Sequence, residues 1–247
     1  MRLTVVGCGD AFGSGGRLQS SYLVDADGER FLIDCGATTL IGLSRLGIDP
    51  NSIPTIIISH LHGDHFAGLV WWIMHARHVA KRKVALRIAG PPGIEARVLE
   101  TSEALYPGST SIPHGYDLSY QELVAGPPAK VCAVEVSVAE VSHPSGAPSY
   151  ALRCTLGGRT IAFSGDTEWV EALVGIAAGS DLFLTECHGF ERAPPYHLAW
   201  KTLVDNLPRL SAQRIMITHM SEGMLAHRHV AADLGLLVAE EGMVVEI

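Results

Sequence analysis

The chain has 247 residues, 47% of them hydrophobic and 18% charged, with 26 glycines. Such a composition belongs to a globular protein with a sizeable core and excludes disordered and fibrous classes. A formal net charge of −8 argues against non-specific nucleic-acid binding, which depends on neutralising phosphates, and no apolar run reaches the roughly eighteen residues of a membrane span.

Met1 to Gly7 runs directly into strand-like sequence without a signal peptide, so a cytoplasmic protein with no membrane partner is expected. Cys8, Cys35, Cys132, Cys154 and Cys187 are scattered and form no CxxC pair. They read as reduced thiols rather than a disulfide framework or a thiolate zinc site.

Leu3 to Val6 reads as a first strand and leads into the glycine-rich loop Gly7 to Gly16. No Gly-Lys-Ser/Thr follows and the dinucleotide pattern is absent, so neither phosphate motif is present. Those glycines allow close backbone approach to a metal or a substrate, and a plain turn accounts for them equally well. Ser21 to Val24 and Arg30 to Ile33 flank an Asp27-Gly28 turn, a hairpin signal. Asp34 follows, suited either to hydrogen-bonding a metal-bound histidine or to an ordinary turn. Thr38 to Leu46 has helical character and stops at Gly47 to Pro50.

The β-branched run Ile56-Ile57-Ile58 reads as a short buried strand, and Ser59-His60-Leu61-His62-Gly63-Asp64-His65 follows it. Three histidines and an aspartate within six residues are hard to explain as scaffold. In extended backbone His60 and His62 share a face and can converge on one ion. Asp64 and His65, past the Gly63 turn, can aim at a second. Imidazole with carboxylate favours zinc, with manganese or iron as alternatives.

Phe66 to Val79 reads as a helix with Trp71, Trp72 and Met74 inside and His75 and His78 as surface or packed residues. Arg77, Lys81, Arg82, Lys83 and Arg87 form the densest basic run, read as a solvated face, with a substrate or nucleic-acid contact as the alternative. A strand over Val84 to Ala89, a Gly90 to Gly93 turn and a helix over Ile94 to Leu105 come next. Tyr106 to Gln121 is a polar, turn-rich connection. Strands are expected over Val131 to Val136, Val138 to Val141, Tyr150 to Leu156, Arg159 to Phe163, Asp181 to Thr185, Arg214 to Thr218 and Met243 to Val245. Helices are expected over Trp169 to Ala178, His197 to Leu207 and Ala226 to Leu234. The alternation indicates a layered α/β architecture, taken as one domain over residues 1–247.

Three later residues repeat the local form of a hydrophobic strand followed by a coordinating group. His143 follows Val138 to Ser142, Asp166 follows Ile161 to Gly165, and His219 follows Ile215 to Thr218. Sites in layered folds gather at strand ends and adjoining loops. With the central cluster these make seven ligands, enough for two adjacent metal ions.

The His60-x-His62-x-Asp64-His65 run, with His143, Asp166 and His219 in order behind it, resembles the metallo-β-lactamase fold superfamily over nearly the whole chain. The resemblance implies an αββα sandwich of two mixed β-sheets flanked by helices. It also implies that His60, His62 and His143 hold one metal, Asp64, His65 and His219 the other, and that Asp166 bridges them. Gly7-Cys8-Gly9, Ala89 to Gly93 and Phe163-Ser164-Gly165-Asp166-Thr167 are closest to the ribonuclease Z group and its phosphodiesterase relatives. Two departures stand out. The span Tyr106 to Lys130 is too short for the arm with which ribonuclease Z enzymes grip tRNA, and Leu198-Ala199-Trp200 after His197 does not match that group's pattern. Both favour a small or cyclic phosphodiester as substrate over RNA.

Two metals about 3.5 to 4 Å apart acidify a shared water and stabilise attacking and leaving oxygens, so the expected chemistry is hydroxide attack on phosphorus. Asp64 is expected to help orient the nucleophile, and His197 to contact phosphate or protonate the leaving group. Glu186 and His188 are pocket-lining candidates, with ordinary loop roles as the alternative. A thioesterase or lactonase with the same ligands, a ribonuclease Z-type nuclease and a non-enzymatic metal-binding protein are the competing readings. Homodimerisation is implied by the resemblance alone.

Overall fold

Most strands of this chain are apolar at both alternating sets of positions, and such a strand must be covered on both faces. The computed structural model, which describes residues 1–247, shows what covers them. One sheet contains β1 (Arg2–Gly7), β2 (Ser21–Ala26), β3 (Glu29–Ile33), β4 (Thr55–Ile57), β5 (Leu86–Gly90) and β6 (Leu118–Glu122), side by side in that order. A second contains β7 (Ala129–Val131), β8 (Val134–Glu140), β9 (Tyr150–Leu156), β10 (Arg159–Phe163), β11 (Leu182–Glu186), β12 (Ile215–Thr218) and β13 (Leu237–Val238), again in chain order. β14 (Val244–Glu246) returns to the first sheet and pairs with β1. Each sheet begins antiparallel and becomes parallel, from β3 to β6 in one and from β10 to β13 in the other.

Side-chain alternation then sorts the core into three layers. Tyr22, Val24, Phe31, Ile33 and Ile57 meet Leu152, Cys154, Ile161, Phe163, Leu182 and Leu184 between the sheets. The opposite faces of the same strands carry Leu23, Leu32, Ile56 and Ile58 in one sheet and Ala151, Ala162, Phe183 and Ile217 in the other. The first outer face is covered by α1 (Thr39–Arg45), α3 (Gly68–His78) and α4 (Ile94–Leu105), with α2 (Gly63–Phe66) as a single turn ahead of α3. The second is covered by α5 (Ala172–Ala177), α6 (Trp200–Asn206), α7 (Glu222–His227) and α8 (His229–Asp233). The result is the αββα sandwich that the motif resemblance implied. No helix is long and apolar enough to cross a membrane.

The differences from expectation have local causes. β6 takes up the end of the stretch read as an irregular connection, because at this half-exposed sheet edge the alternation is only two residues long: Leu118 and Tyr120 pack toward the helices while Ser119 and Gln121 alternate with them. The two strands expected between Val131 and Val141 divide earlier, at a turn where Cys132 has φ 52°, and β8 runs unbroken through Val138. The helix expected from His197 begins at Trp200, since the Leu198 amide is bonded to Glu186. The expected final helix is two short ones, α7 and α8. The basic run is only in part a solvated face: Lys81 and Lys83 are exposed, whereas Arg77 and Arg82 are 8% and 2% exposed. Arg82 donates to the carbonyls of Pro50, Ile53, Val84 and Ala85, fastening the segment after α3 to the turn before β4.

Candidate metal centre

Every residue of the site sits just past the end of a strand. His60 to His65 follow β4, His143 follows β8, Asp166 follows β10, and His219 follows β12. The parallel strands β3 and β4 in one sheet, and β10 to β12 in the other, all deliver their C-terminal ends to this rim. Tight backbone contacts hold the central motif down. A Cβ on Gly68 would lie 2.1 Å from the Gly36 carbonyl, and one on Gly36 would lie 2.3 Å from the Asp64 carbonyl, so only glycine fits either place. Asp34, Tyr196 and His219 adopt φ of 57°, 68° and 55°, conformations that side chains rarely accept.

The seven sequence-selected ligand residues come together. Ligand atoms of His60, His62 and His143 lie within 4.8 Å of one another, and so do those of Asp64, His65, Asp166 and His219. Asp166 stands between the sets, with Oδ1 3.3 Å from His65 Nε2 and Oδ2 3.3 Å from His219 Nε2, 3.9 Å from His143 Nε2 and 4.0 Å from His60 Nε2. Asp64 Oδ2 lies 3.2 Å from Nε2 of both His65 and His219.

Hydrogen bonds on the far side of each ring decide which nitrogen faces the centre. His65 donates from Nδ1 to Asp34 Oδ2 at 2.7 Å. His143 donates from Nδ1 to the Tyr196 carbonyl at 2.9 Å, which the unusual Tyr196 backbone points inward. Ser59 Oγ donates to Asp34 Oδ2 at 2.9 Å and thus accepts from His60 Nδ1 at 3.0 Å. Each leaves an Nε2 lone pair turned to the centre. His143 Nε2 there meets His62 Nδ1 at 2.9 Å.

This donor set fits divalent cations. The inward atoms His60 Nε2, His65 Nε2 and Asp166 Oδ1 are buried without a hydrogen-bond partner, which a native core seldom tolerates. Two buried carboxylates also require positive charge. Burial disfavours protonated His219, yet Asp166 and Asp64 outweigh it and push its pKa up to about 9. Burial likewise disfavours ionised Asp64, yet His65 and His219 hold its carboxyl far below the usual range. His60 moves the other way: burial first, then the charge on His65, hold it well below its ordinary value. Mixed imidazole and carboxylate ligands suit zinc, manganese or iron.

Beyond this core, His197 is half-buried and donates from Nδ1 to Glu186 Oε2 at 3.2 Å. Glu186, fully buried at the end of β11, also accepts from the amides of Thr167 and Leu198. Burial opposes protonation of His197, but the Glu186 bond and charge prevail and raise its pKa. His188 stacks on His197 with ring centroids 4.7 Å apart. Burial, then the charges of His219 and His197, push His188 down to about 4, so it is neutral at physiological pH. A cavity of about 380 Å³ opens here, lined by Asp10, Phe12, Asp64, His188, Pro194 and His197 among others, and its wall includes no lysine or arginine.

Sequence reasoning gave little weight to His188 and missed Asp10, Phe12 and the Tyr196 carbonyl. A carboxylate at the end of a wholly apolar strand was the available signal for Glu186; nothing local marks the others. His75 and His78 on α3 and the exposed His227 and His229 stand apart from the site.

The chain is 28% identical to ribonuclease Z of Mycobacterium avium (strain 104) over 248 residues, covering 96% of this chain and 84% of that protein. The metallo-β-lactamase fold protein YhfI from Bacillus subtilis superposes with a TM-score of 0.80 at 20% identity, covering 99% of both chains. Human tRNase Z, short form, superposes with a TM-score of 0.80 at 22% identity, covering 100% of this chain and 99% of that one. The family model for the Anti-Pycsar protein Apyc1 matches residues 1–243. Built on the metallo-β-lactamase fold, the chain belongs to the Anti-Pycsar protein Apyc1 family.

Proposed function

We propose that residues 1–247 act as one hydrolase domain, a dinuclear metal-dependent phosphodiesterase for small or cyclic phosphodiesters. The observation that carries this reading is the pairing of two groups of candidate ligands across Asp166 with His197, the proposed proton donor, on the wall of the same cavity. His60, His62 and His143 would hold one ion, Asp64, His65 and His219 the other, and Asp166 both; zinc suits the set best. When bound, such ions acidify water and neutralise charge on phosphoryl oxygens.

The protein's own groups do the rest. Asp34, Ser59 and the Tyr196 carbonyl keep ligand lone pairs turned inward. Asp64, ionised and acceptor-rich, orients the attacking water. His197, its Nδ1 engaged by Glu186, has Nε2 available to protonate the departing oxygen. An alkoxide leaves poorly without a proton, whereas a thiolate leaves readily near neutral pH. A built acid therefore favours an oxygen ester over a thioester.

RNA is the second reading, favoured by the likeness to ribonuclease Z. The cavity wall offers no cation to grip a polyphosphate backbone, and Arg77 and Arg82 of the basic run are buried. Both features support a small substrate. The five unpaired cysteines suit a reducing compartment.

Hydrolysis of bis(p-nitrophenyl) phosphate after separate loading with zinc and manganese tests the chemistry, beside Asp166→Ala. Metal-dependent turnover lost in the variant is expected. Two bound ions per chain with no turnover under either metal would reject it and bring lactones and thioesters forward.

A further inference from the structure

Phe12 is 92% exposed, more than any other large apolar residue of the chain, and it lines the cavity beside the metal-ligand cluster. An aromatic ring so exposed usually marks a loose loop, but this loop is fastened at four points, on Ala11, Phe12, Ser14 and Gly15. Gln19 Nε2 donates to the Ala11 carbonyl at 3.1 Å. The Phe12 amide donates to Asp10 Oδ1 at 3.2 Å, and Ser14 donates to the same carboxylate from its amide at 2.9 Å and its hydroxyl at 2.6 Å. Gly15 donates to Glu222 Oε1 of α7 at 2.7 Å. Gly13, Gly15 and Gly16 take φ of 71°, 67° and 72°, which lets the chain turn tightly enough to lift Phe12 outward. The backbone is held while the ring touches almost nothing.

The cavity also has a deficit that such a ring would fill. The wall holds no lysine or arginine, so a phosphoester has only the metal positions and His197 to bind it and nothing cationic to hold the rest of the molecule. Every nucleobase presents a π-face, and stacking on an aromatic side chain binds it without hydrogen-bond readout.

We propose that Phe12 is a stacking platform for the base of a nucleotide substrate, whose phosphoester reaches the metal cluster below. The inference rests on the phosphodiesterase reading for its substrate class and deepens it. Phe12 sets affinity for the base and takes no part in bond breaking, so its removal weakens binding of nucleotides and leaves that of bare sugar phosphates alone.

The test is direct binding to the zinc-loaded full chain by titration calorimetry, with a nucleoside 5′-monophosphate and ribose 5-phosphate as probes. Phe12→Ala should weaken the nucleotide about ten- to a hundredfold and leave ribose 5-phosphate unchanged. Phe12→Trp should restore nucleotide affinity, with its added fluorescence quenched by the nucleotide and not by the sugar phosphate. Equal losses for both probes, or no loss for either, would overturn the platform. So would conversion of a dimer to a monomer by Phe12→Ala with nucleotide affinity unaltered, since the ring would then be a subunit contact. The readout is independent of turnover: base-selective binding through Phe12 in a protein that cleaves no diester would uphold the platform and reject the phosphodiesterase.

Discussion

Asp34 accepts the Nδ1 proton of His65 at 2.7 Å while both side chains are fully buried, and this one bond links the hairpin β2–β3 to the central motif. The other oxygen of Asp34 accepts the Ser59 amide at 2.7 Å, so the carboxylate's place is over-determined. In Asp34→Asn, an amide oxygen kept on Ser59 would turn the NH2 toward His65. The ring would then shift its proton to Nε2, the atom required for a metal. A ten- to hundredfold loss of affinity for one of two ions, about what such outer contacts contribute, is expected in competition titration against a chelating dye. Unchanged affinity for both ions would remove Asp34 from that role.

His197 and Glu186 should act as a unit. His197→Ala is expected to lower kcat about 10²- to 10⁴-fold for alkyl diesters, and much less for diesters with a nitrophenolate leaving group that needs no proton. The raised pKa of His197 gives the sign of the pH dependence. Activity that needs the protonated ring is full below that pKa and declines as pH rises through it. Glu186→Gln removes the carboxylate that raises it, so the declining limb should move to lower pH. A pH–rate profile with that limb in the same place would show that His197 is not the acid.

Acid stability should depend on Asp181. Its carboxylate accepts the Thr160 amide at 2.8 Å and Arg159 Nη1 at 2.7 Å, joining the start of β10 to the approach to β11. Burial opposes ionisation, yet these bonds and the Arg159 charge hold its pKa below the ordinary value. Such a group contributes stability that is complete above its unfolded pKa, about 3.9, and is lost as pH falls through the lower folded value. Asp181→Asn should cost about 1 kcal/mol at pH 7 and flatten the dependence of stability on pH below pH about 4. Urea unfolding across that range checks both.

Gly68→Ala is a packing test of the same motif. Its Cβ would meet the Gly36 carbonyl at 2.1 Å, and backbone on both sides leaves no side chain to move aside. A loss of about 3 kcal/mol is expected in urea unfolding, together with weakened metal binding as α3 shifts off the Asp64–His65 turn. Gly93→Ala, where no atom lies within 4 Å of the added carbon, should instead show only the strain of its positive φ.

The residues that name the chemistry were legible because they are local or follow a local rule. His60 to His65 crowd into six positions, and His143, Asp166 and His219 each repeat the apolar strand followed by a ligand. The buried strands were equally readable, since burial on both faces leaves a nearly continuous apolar run. β6 was not, because a five-residue edge strand with only Leu118 and Tyr120 apolar is too short a signal within a polar, turn-rich stretch.

Sequence alone therefore determined the set of candidate ligands, the order of most strands and helices, and the layered class, all consequences of side-chain chemistry repeated along the chain. Tertiary structure alone decided that Asp34 turns His65, that the Tyr196 carbonyl turns His143, that Glu186 supports His197, and that Phe12 stands free at the cavity's edge. These relationships join residues between 11 and 53 positions apart where they are hydrogen bonds, and no local pattern encodes them. They arise because two sheets bring their strand ends to one rim, where a carboxylate or carbonyl is forced to find its partner on another element.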